Sequence, residues 1–255
     1  AERAGGYNPA RGNKVIAFAK NFLNETVPLK NGSYEDAISF MILGESLQVE
    51  LSDGTRSELK DTNQYIGYAG DASNPTGILF KNNNLHLEVQ IDKDHNIGME
   101  DPAGIKDVLV ESAITTIQDC EDSVAAVDAA DKVIVYRNWL GLMKGDLKES
   151  FMKGGSEMTR SLNPDRGYTT KDNKKLNLPG RSLMLVRNVG HLMTNPAVLD
   201  KDGNEIPEGI LDAMFTICIS KHDLERTGNY SNSRKGSIYI VKPKMHGPKE
   251  VKFTC

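Results

Sequence analysis

The sequence has only three cysteines, Cys120, Cys218 and Cys255, and their spacing matches no metal site. A reducing cytoplasm therefore suits the chain better than an oxidising compartment. No apolar run approaches the length that spans a bilayer, and no secretory signal opens the chain, so we expect no membrane partner. The net charge of −4 gives no general attraction to nucleic acid, so we expect no such partner either.

Length and composition place few limits on the fold. At 255 residues, the chain is long enough for one large domain or two smaller domains. Hydrophobic residues make up 38% and charged residues 26%, which is typical of a soluble globular protein. The chain begins at Ala1 and ends at Cys255, shortly after a strand-like segment. We therefore expect it to be a piece of a longer protein.

Two segments in the first third of the chain alternate apolar and polar residues. Apolar side chains occupy every second position of residues 47–51 and again of residues 85–91. Period-two alternation predicts strands with one solvent-facing side, as in an antiparallel sheet. A helix is predicted before them, from Gly12 to Asn24. Residues 1 to about 110 are therefore expected to form a small mixed domain.

The pattern changes after about residue 104. A helix is predicted from Gly104 to Ala113, followed by an apolar strand that ends in the carboxylates Asp119, Glu121 and Asp122. A long apolar segment from Val124 to Lys144 then predicts a second helix. A run that is apolar on both faces is typical of a parallel sheet, where chemistry sits at the carboxyl ends of the strands. The motif therefore points toward an enzyme that uses a divalent cation.

Two further apolar strands continue this pattern. The polar residues 146–181 predict a hairpin excursion that returns to the first domain. Strands are predicted at 182–186 and 237–241, and a helix is predicted at 207–223. The helix has an apolar stripe at three positions: Ile210, Met214 and Ile217. Three strands that end in charged residues indicate a barrel or an open α/β sheet, although three strands cannot close a barrel.

The acidic turn has two interpretations. Asp119 and Glu121 lie two residues apart, so an extended backbone directs both to one face, where they could hold Mg²⁺ directly or through its waters. The alternative is an acid-rich helix start, which suits Asp122 and Ser123 better than the two residues before them. Ser123 could also bind a phosphate at a helix N-terminus.

Cationic side chains follow the other two strands. Arg187 ends an apolar strand, and it must meet an anion there, either a protein carboxylate or a substrate. A structural role is favoured for His191 over acid–base chemistry. Arg160 and Arg166 lie in the polar excursion and are expected to be solvated. Three residues that follow the last strand could share a cavity: Lys242, Lys244 and His246.

Long ungapped blocks of the sequence closely resemble the malate synthase G family. These are Leu79–His86 (LFKNNNLH), Asp119–Asp128 (DCEDSVAAVD), Tyr136–Asp146 (YRNWLGLMKGD), Val186–Thr194 (VRNVGHLMT) and Ile240–Pro248 (IVKPKMHGP). The similarity extends over essentially the whole chain and is highly specific.

The resemblance implies the fold class and the domain division. It implies an α/β protein, part of a (β/α)₈ TIM barrel with an inserted mixed α/β domain. The inserted domain would comprise residues 1–112 and continue with residues 145–182. The partial barrel would comprise residues 113–144 and 183–255.

The resemblance also implies an activity. The family condenses acetyl-CoA with glyoxylate and water to give malate and CoA, an Mg²⁺-dependent acyl transfer of the glyoxylate cycle. An aspartate removes a methyl proton, the enolate attacks the aldehyde that the metal polarises, and the malyl thioester is hydrolysed. We expect acetyl-CoA and glyoxylate as partners, a monomer, and a cytoplasmic location.

The resemblance assigns roles to individual residues. Arg187 corresponds to the catalytic arginine that contacts glyoxylate and stabilises the enolate oxygen. Ser123 and Arg160 match positions that bind acetyl-CoA, which replaces the solvated interpretation of Arg160. Asp119 and Glu121 match carboxylates near the metal, and we expect them to act in the second shell, through its bound waters.

One departure from the family is important. The two direct Mg²⁺ ligands and the catalytic aspartate of the family lie in segments C-terminal to Cys255. We therefore expect an internal fragment of a protein roughly three times this length, going by the size of a barrel with added domains. The fragment alone is expected to be inactive and to bind Mg²⁺ weakly.

Two other functions are compatible with parts of the sequence. Another metal-dependent barrel lyase, such as a citramalyl- or malyl-CoA lyase, would also have arginine and acidic groups at strand ends. It would not be expected to contain the inserted sheet domain. Alternatively, residues 1–112 could form an independent binding module, but their polar strand faces show no aromatic or basic cluster that suggests a ligand.

Overall fold

The computed structural model describes residues 6–111, 115–225 and 231–255. The chain divides into two compact units, residues 1–112 with 166–178 and residues 113–165 with 179–255. The α-helices are α1 (Pro9–Thr26), α2 (Ala129–Lys144), α3 (Glu208–Leu224) and α4 (Pro248–Thr254), with short 3-10 turns at Thr62–Gln64 and Gly98–Glu100. Within the described residues, none of the helices combines the length and apolar character that a bilayer crossing requires.

The strands form several sheets within these units. In chain order they are β1 (Ala37–Leu43), β2 (Ser46–Leu51), β3 (Arg56–Ser57), β4 (Tyr65–Asp71), β5 (Asn74–Asn82), β6 (Leu85–Ile91), β7 (Ile105–Val110), β8 (Thr115–Asp119), β9 (Lys148–Lys153), β10 (Ser156–Ser161), β11 (Arg166–Thr170), β12 (Lys175–Leu178), β13 (Leu183–Arg187), β14 (Thr194–Leu199), β15 (Glu205–Pro207) and β16 (Ile240–Val241). β14 and β15 pair as a small antiparallel hairpin.

The first unit is built on antiparallel sheets, as the alternating residues predicted. A six-stranded sheet has the order β12-β11-β4-β5-β6-β7, and a three-stranded sheet has the order β1-β2-β3. The predicted first helix is confirmed as α1, which begins after the N-cap Asn8 and has Pro9 at its first position. Leu23, Val49 and Phe80 are fully buried in the core of this unit.

The predicted helix from Gly104 to Ala113 is wrong. Most of the segment forms β7, which pairs with β6 and places Val108 opposite Val89. β6 would otherwise present unpaired backbone groups at the sheet edge, and pairing satisfies them. Tertiary pairing therefore outweighs local helix propensity here. Ala113 lies outside the described residues.

The polar segment of residues 146–181 forms hairpins, as predicted. β11 pairs with β4, with Thr169 opposite Tyr68, so β11 and β12 extend the six-stranded sheet of the first unit. β9 and β10 instead pair with each other as a separate hairpin of the second unit. The assignment of residues 145–182 as a whole to an inserted domain stays a prediction.

The second unit contains a parallel sheet with the order β16-β13-β8. This confirms the α/β pattern of three apolar strands, although the last strand is shorter than the predicted 237–241. Val186 of β13 is fully buried, and α2 packs on α3 through Trp139, whose Nε1 donates to Ser220 Oγ at 3.1 Å. Among the described residues, β16, β13 and β8 form an open parallel sheet and do not close a barrel.

Helix α2 begins later than predicted. The predicted start was Val124, but the first helical residue is Ala129 and the N-cap is Asp128. The Asp128 side chain accepts a hydrogen bond from the N–H of Asp131, as a capping residue does. Ser123 therefore does not begin a helix, so the interpretations of the acidic turn as a helix cap or a helix-end phosphate site are wrong.

Helix α3 is confirmed, but it buries a different face from the one predicted. The apolar stripe is exposed: Ile210, Met214 and Ile217. Leu211 and Ile219 are buried together with three polar residues: Asp212, Thr216 and Ser220. Burial is tolerated because each polar side chain has a hydrogen-bond partner on α2 or within α3.

A matched pair of substitutions tests this orientation of α3. We expect Leu211→Ala to lower the free energy of unfolding by about 2–4 kcal/mol, because it empties a buried site. Leu211 is 5% exposed, whereas its neighbour Ile210 is 47% exposed. Ile210→Ala should therefore cost less than about 1 kcal/mol. Urea unfolding followed by circular dichroism measures both, and equal losses would contradict the described orientation.

Candidate functional site

The ends of β8 and β13 bring a carboxylate and a guanidinium together. The two parallel strands pair so that Arg187 lies opposite Asp119. Arg187 Nε donates to Asp119 Oδ1 at 2.8 Å, and Arg187 Nη2 donates to Asp119 Oδ2 at 2.5 Å. Two-point contact of this kind is a strong geometry for an arginine–carboxylate pair. The structure therefore places a protein carboxylate against Arg187, the first of the two anions that the sequence allowed.

Each carboxylate oxygen of Asp119 already accepts two hydrogen bonds. The hydrogen bonds from Arg187 hold the pKa of Asp119 well below its usual range. The N–H of Glu121 donates to Oδ1 and the N–H of Ser123 donates to Oδ2, both at 2.9 Å, and these bonds lower the pKa further. A carboxylate offers about four acceptor positions, so these donors fill the group. Asp119 also raises the pKa of Arg187, which therefore stays charged.

Glu121 is held differently. Its side chain is 8% exposed, and Oε1 accepts from Lys244 Nζ at 3.0 Å and from the N–H of Gly190 at 3.4 Å. The other oxygen, Oε2, is buried and has no hydrogen-bond partner among the described residues. Burying a carboxylate oxygen without a donor is unfavourable, so this atom is suited to a donor from water or from a ligand.

Asp122 lies between the two cations of the cluster. It is largely exposed, with Oδ2 at 3.5 Å from Arg187 Nη2 and Oδ1 at 2.9 Å from Lys244 Nζ. Arg187 is partly exposed, and its contact with Asp119 uses two of the five N–H groups of a guanidinium. The remaining N–H groups can therefore bind an anion that reaches the ends of these strands.

A buried charge network behind this cluster was missed in the sequence. Lys132 of α2 is 1% exposed, and its Nζ contacts Glu208 Oε1 at 2.5 Å and Asp212 Oδ1 at 2.9 Å. The second oxygen of Asp212 accepts the N–H of Val189 at 2.9 Å. The network therefore ties helices α2 and α3 to the backbone that follows β13.

A sequence signal for this network did exist. Lys132 is a charged residue within the apolar segment 124–144, and Asp212 is one within the helical segment 207–223. A charge on a helix face that packs into a core is tolerated when it has a partner of opposite charge. A search for complementary charges between the two predicted helices would have included Lys132 with Asp212 among its candidate pairs.

The two residues predicted to bind acetyl-CoA lie in different surroundings. Ser123 is exposed, and its N–H bond to Asp119 places it beside the cluster. Arg160 lies on the exposed strand β10, where its guanidinium is 4.9 Å from the centre of the Phe151 ring. The structure therefore brings Ser123, and not Arg160, to the pair formed by Asp119 and Arg187.

The two histidines named in the sequence lie against α4. His191 Nε2 is 3.0 Å from Thr254 Oγ1, and the structural role favoured for His191 stays a prediction. The N–H of His246 donates to Glu250 Oε2 at 2.6 Å. Neither of these contacts joins a histidine to the acidic turn.

Arg166 and Lys242 each bind an acceptor within the compact unit to which they belong. Arg166 was predicted to be solvated, but this prediction is wrong because its Nη1 binds Glu88 Oε2 at 2.5 Å in the first unit. Lys242 Nζ donates to the carbonyl oxygen of Val189 at 2.5 Å in the second unit. Burial lowers the pKa of Lys242.

A hard cation such as Mg²⁺ needs several oxygen ligands around one point. Among the described residues, no group of three or more His, Cys, Asp or Glu side chains is placed to hold a metal ion. Glu121 Oε2 can accept a hydrogen bond from a water that a cation holds. Asp119 can do so only if it gives up one of its donors. The cluster therefore fits outer-sphere contacts and not a complete set of direct ligands.

The depressed pKa of Asp119 predicts a pH-dependent stability. We expect Asp119→Asn to cost about 2 kcal/mol at pH 7, since it removes a carboxylate with charged donors. The folded pKa lies well below the ordinary value of 3.8, so the stabilisation is complete above about pH 5, begins to fall as the pH drops below 3.8, and is lost as the pH approaches the lower folded pKa. The difference from wild type should shrink over that range in urea unfolding.

A control substitution separates this effect from general charge removal. Asp202→Asn removes a carboxylate from an exposed pair with Lys201, and such pairs contribute little at any pH. A difference between Asp119→Asn and wild type that stays constant down to pH 2 would contradict the prediction.

The chain was compared with known protein families. Residues 7–82 match the family described as "Malate synthase G, alpha-beta insertion domain". Residues 183–255 match the family described as "Malate synthase, TIM barrel domain". The first match covers α1 and strands β1 to β5 of the first unit, and the second covers β13, Arg187 and β16.

Curated relatives align with essentially the whole chain. Malate synthase G of Halalkalibacterium halodurans is 56% identical over 252 residues, which is 99% of this chain and 35% of the relative. Malate synthase G of Corynebacterium efficiens is 52% identical, and that of Corynebacterium glutamicum is 50% identical, each over 254 residues, 100% of this chain and 34% of the relative. The chain thus spans about a third of the length of these relatives. Two malate synthase domains in order, together with relatives that align over essentially the whole of this chain, show that the chain belongs to the malate synthase G family.

Proposed function

We propose that the complete protein that contains this chain is a malate synthase, which joins acetyl-CoA to glyoxylate with the uptake of water. The products are malate and free CoA. The observation that carries the proposal is the two-point contact between Arg187 and Asp119 at adjacent parallel strand ends. It lies in a chain that is 50–56% identical to proteins named malate synthase G.

Arg187 is the proposed catalytic residue. In this reaction, negative charge develops on the enolate oxygen of acetyl-CoA and then on the former aldehyde oxygen of glyoxylate. A guanidinium that is already charged and oriented stabilises such charge without reorganising during the reaction. Asp119 keeps Arg187 charged and fixes two of its N–H groups. The other N–H groups bind glyoxylate in this proposal.

Asp119 and Glu121 are the proposed outer contacts of the metal. Mg²⁺, when bound, polarises the aldehyde of glyoxylate as a Lewis acid. The open Oε2 of Glu121 supports its role, since that atom can accept a hydrogen bond from a water of the cation's hydration shell. The saturated oxygens of Asp119 support a primary role in orienting Arg187, and its contact with the hydration shell stays a prediction.

Ser123 and Arg160 are the proposed contacts of acetyl-CoA. Ser123 is exposed in the acidic turn, where its N–H and side chain hydrogen-bond to Asp119, and this supports a contact with a ligand at the strand ends. Arg160 is exposed on β10, where a phosphate of CoA can accept hydrogen bonds from its guanidinium. The hairpin of β9 and β10 would then bind the phosphate-bearing part of CoA, away from the reacting thioester.

Substitution of Arg187 tests the proposed reaction in the complete protein. Lysine keeps the positive charge but cannot make the two-point contact, so Arg187→Lys should lower kcat/KM for glyoxylate by about 100-fold or more. Arg137→Lys, at an exposed position of α2, is the matched control and should leave the rate unchanged. Glyoxylate-dependent release of CoA, followed with a thiol reagent, measures both. If wild type releases no CoA, or cleaves malyl-CoA without forming malate, the proposed function is wrong.

Substitution of Arg160 tests the proposed CoA contact separately. Arg160→Ala should raise KM for acetyl-CoA by about tenfold, the effect of losing a charged hydrogen bond, while KM for glyoxylate stays unchanged. Lys153→Ala, at the end of β9 in the same hairpin, removes an exposed cation without the same assigned role. An equal rise in KM for the two variants would indicate a general charge effect and not a specific contact.

A further inference from the structure

Lys244 has a backbone conformation that is unusual for its residue type. It lies three residues after β16 and has a φ of 53°. The other described non-glycine residues with positive φ are asparagines: Asn83, Asn84 and Asn173. Asparagine adopts this conformation readily, whereas a lysine there is strained. A strained backbone conformation persists only where surrounding contacts hold it.

The ammonium group of Lys244 bridges two carboxylates of the acidic turn. Nζ lies 3.0 Å from Glu121 Oε1 and 2.9 Å from Asp122 Oδ1. Glu121 and Asp122 follow β8, whereas Lys244 follows β16, and these strands lie on opposite sides of β13. The ammonium group therefore joins the two outer strand ends across the end that bears Arg187.

This contact does not act mainly through stability. The side chain of Lys244 is 53% exposed, and partly exposed ion pairs contribute little to folding because water screens them. The strained backbone acts in the opposite direction. A role in arranging the charges of the turn accounts for the contact better than a role in holding the fold together.

The arrangement of charges in the cluster affects the position of Arg187. Arg187 is bonded to Asp119 and lies 3.5 Å from Asp122, and Glu121 is a third carboxylate whose charge acts on it. Without Lys244, Asp122 would have Arg187 as its remaining cationic contact among the described residues. Opposite charges at this distance attract, so an Asp122 without Lys244 would compete with Asp119 for the guanidinium.

We propose that Lys244 is a positioning residue of the site. By occupying Glu121 Oε1 and Asp122 Oδ1, it keeps Arg187 on Asp119 with its other N–H groups available to a carbonyl or carboxylate ligand. It also leaves Glu121 Oε2 as the open oxygen of that side chain. The inference rests on the proposed function for its kinetic consequence, but its structural consequence is independent of any activity.

The kinetic test uses the complete protein and four variants. Lys244→Met removes the charge and should lower kcat/KM for glyoxylate by about 10–100-fold, the effect of misplacing a group by about 1 Å. KM for acetyl-CoA should stay unchanged. Lys244→Arg restores a cation and should recover activity to within about threefold of wild type. Lys201→Met is the matched control, because Lys201 forms an exposed pair with Asp202 and should leave the rate unchanged.

Lys244→Gly separates charge from backbone strain. Glycine relieves the strain at positive φ, so this variant should unfold at a higher temperature than Lys244→Met. It lacks the ammonium group, so its kcat/KM should be as low as that of Lys244→Met. Recovery of activity in Lys244→Gly would assign the defect to the backbone and overturn the proposal.

Hydrogen exchange provides a readout without turnover. The N–H groups of Glu121 and Ser123 are bonded to Asp119, so displacement of the turn should speed their exchange in Lys244→Met by at least about tenfold. Lys244→Arg and Lys201→Met should exchange like wild type. Exchange that is unchanged in Lys244→Met overturns the positioning role, whether or not the protein makes malate. Inactive wild type would instead refute the proposed function and leave exchange to decide the role of Lys244.

Discussion

The contact between Asp119 and Arg187 is the interaction on which the rest of the site depends. It forms because β8 and β13 are parallel and in register, so that the last residues of the two strands lie side by side. An arginine at the end of an apolar strand needs an anion, and the neighbouring strand supplies one. The same carboxylate receives the N–H groups of Glu121 and Ser123, which fixes the shape of the turn after β8. The Asp119 side chain thus orients Arg187 and also fixes the conformation of the turn after β8.

The sequence predicted the parts of this arrangement that depend on local pattern. Apolar strands that end in charged residues predicted a parallel sheet with Asp119 and Arg187 at its strand ends, but left open whether a protein carboxylate or a substrate contacts Arg187. Alternation in residues 47–51 and 85–91 predicted the antiparallel sheets. The sequence did not predict the features whose structure depends on elements that are distant in the chain. Residues 105–110 became a strand because β6 offered an edge to pair with. Helix α3 turned its polar face inward because α2 supplied the complementary groups, and no feature of α3 alone records that partner.

The buried network of Lys132, Glu208 and Asp212 shows why that polar face is buried. Removing charges from water is unfavourable, and a buried ion pair is weak evidence of net stabilisation. Its value here lies in geometry, because Asp212 uses its second oxygen to hold the N–H of Val189. Lys242 holds the carbonyl oxygen of the same residue from the next strand end. The backbone directly after Arg187 is therefore fixed from a helix on one side and from a strand end on the other.

The two carboxylates that resemble metal contacts have opposite hydrogen-bond states, and this difference divides their roles. Asp119 has a donor at each acceptor position, so a new ligand would have to compete with Arg187 or with the turn. Glu121 has donors on Oε1 and none among the described residues on Oε2, although that atom is buried. A buried oxygen of this kind gains most from a new donor. The sequence presents the two residues as an equivalent pair on one strand face, whereas their hydrogen bonds make Asp119 a support for Arg187 and leave one oxygen of Glu121 open to a new donor.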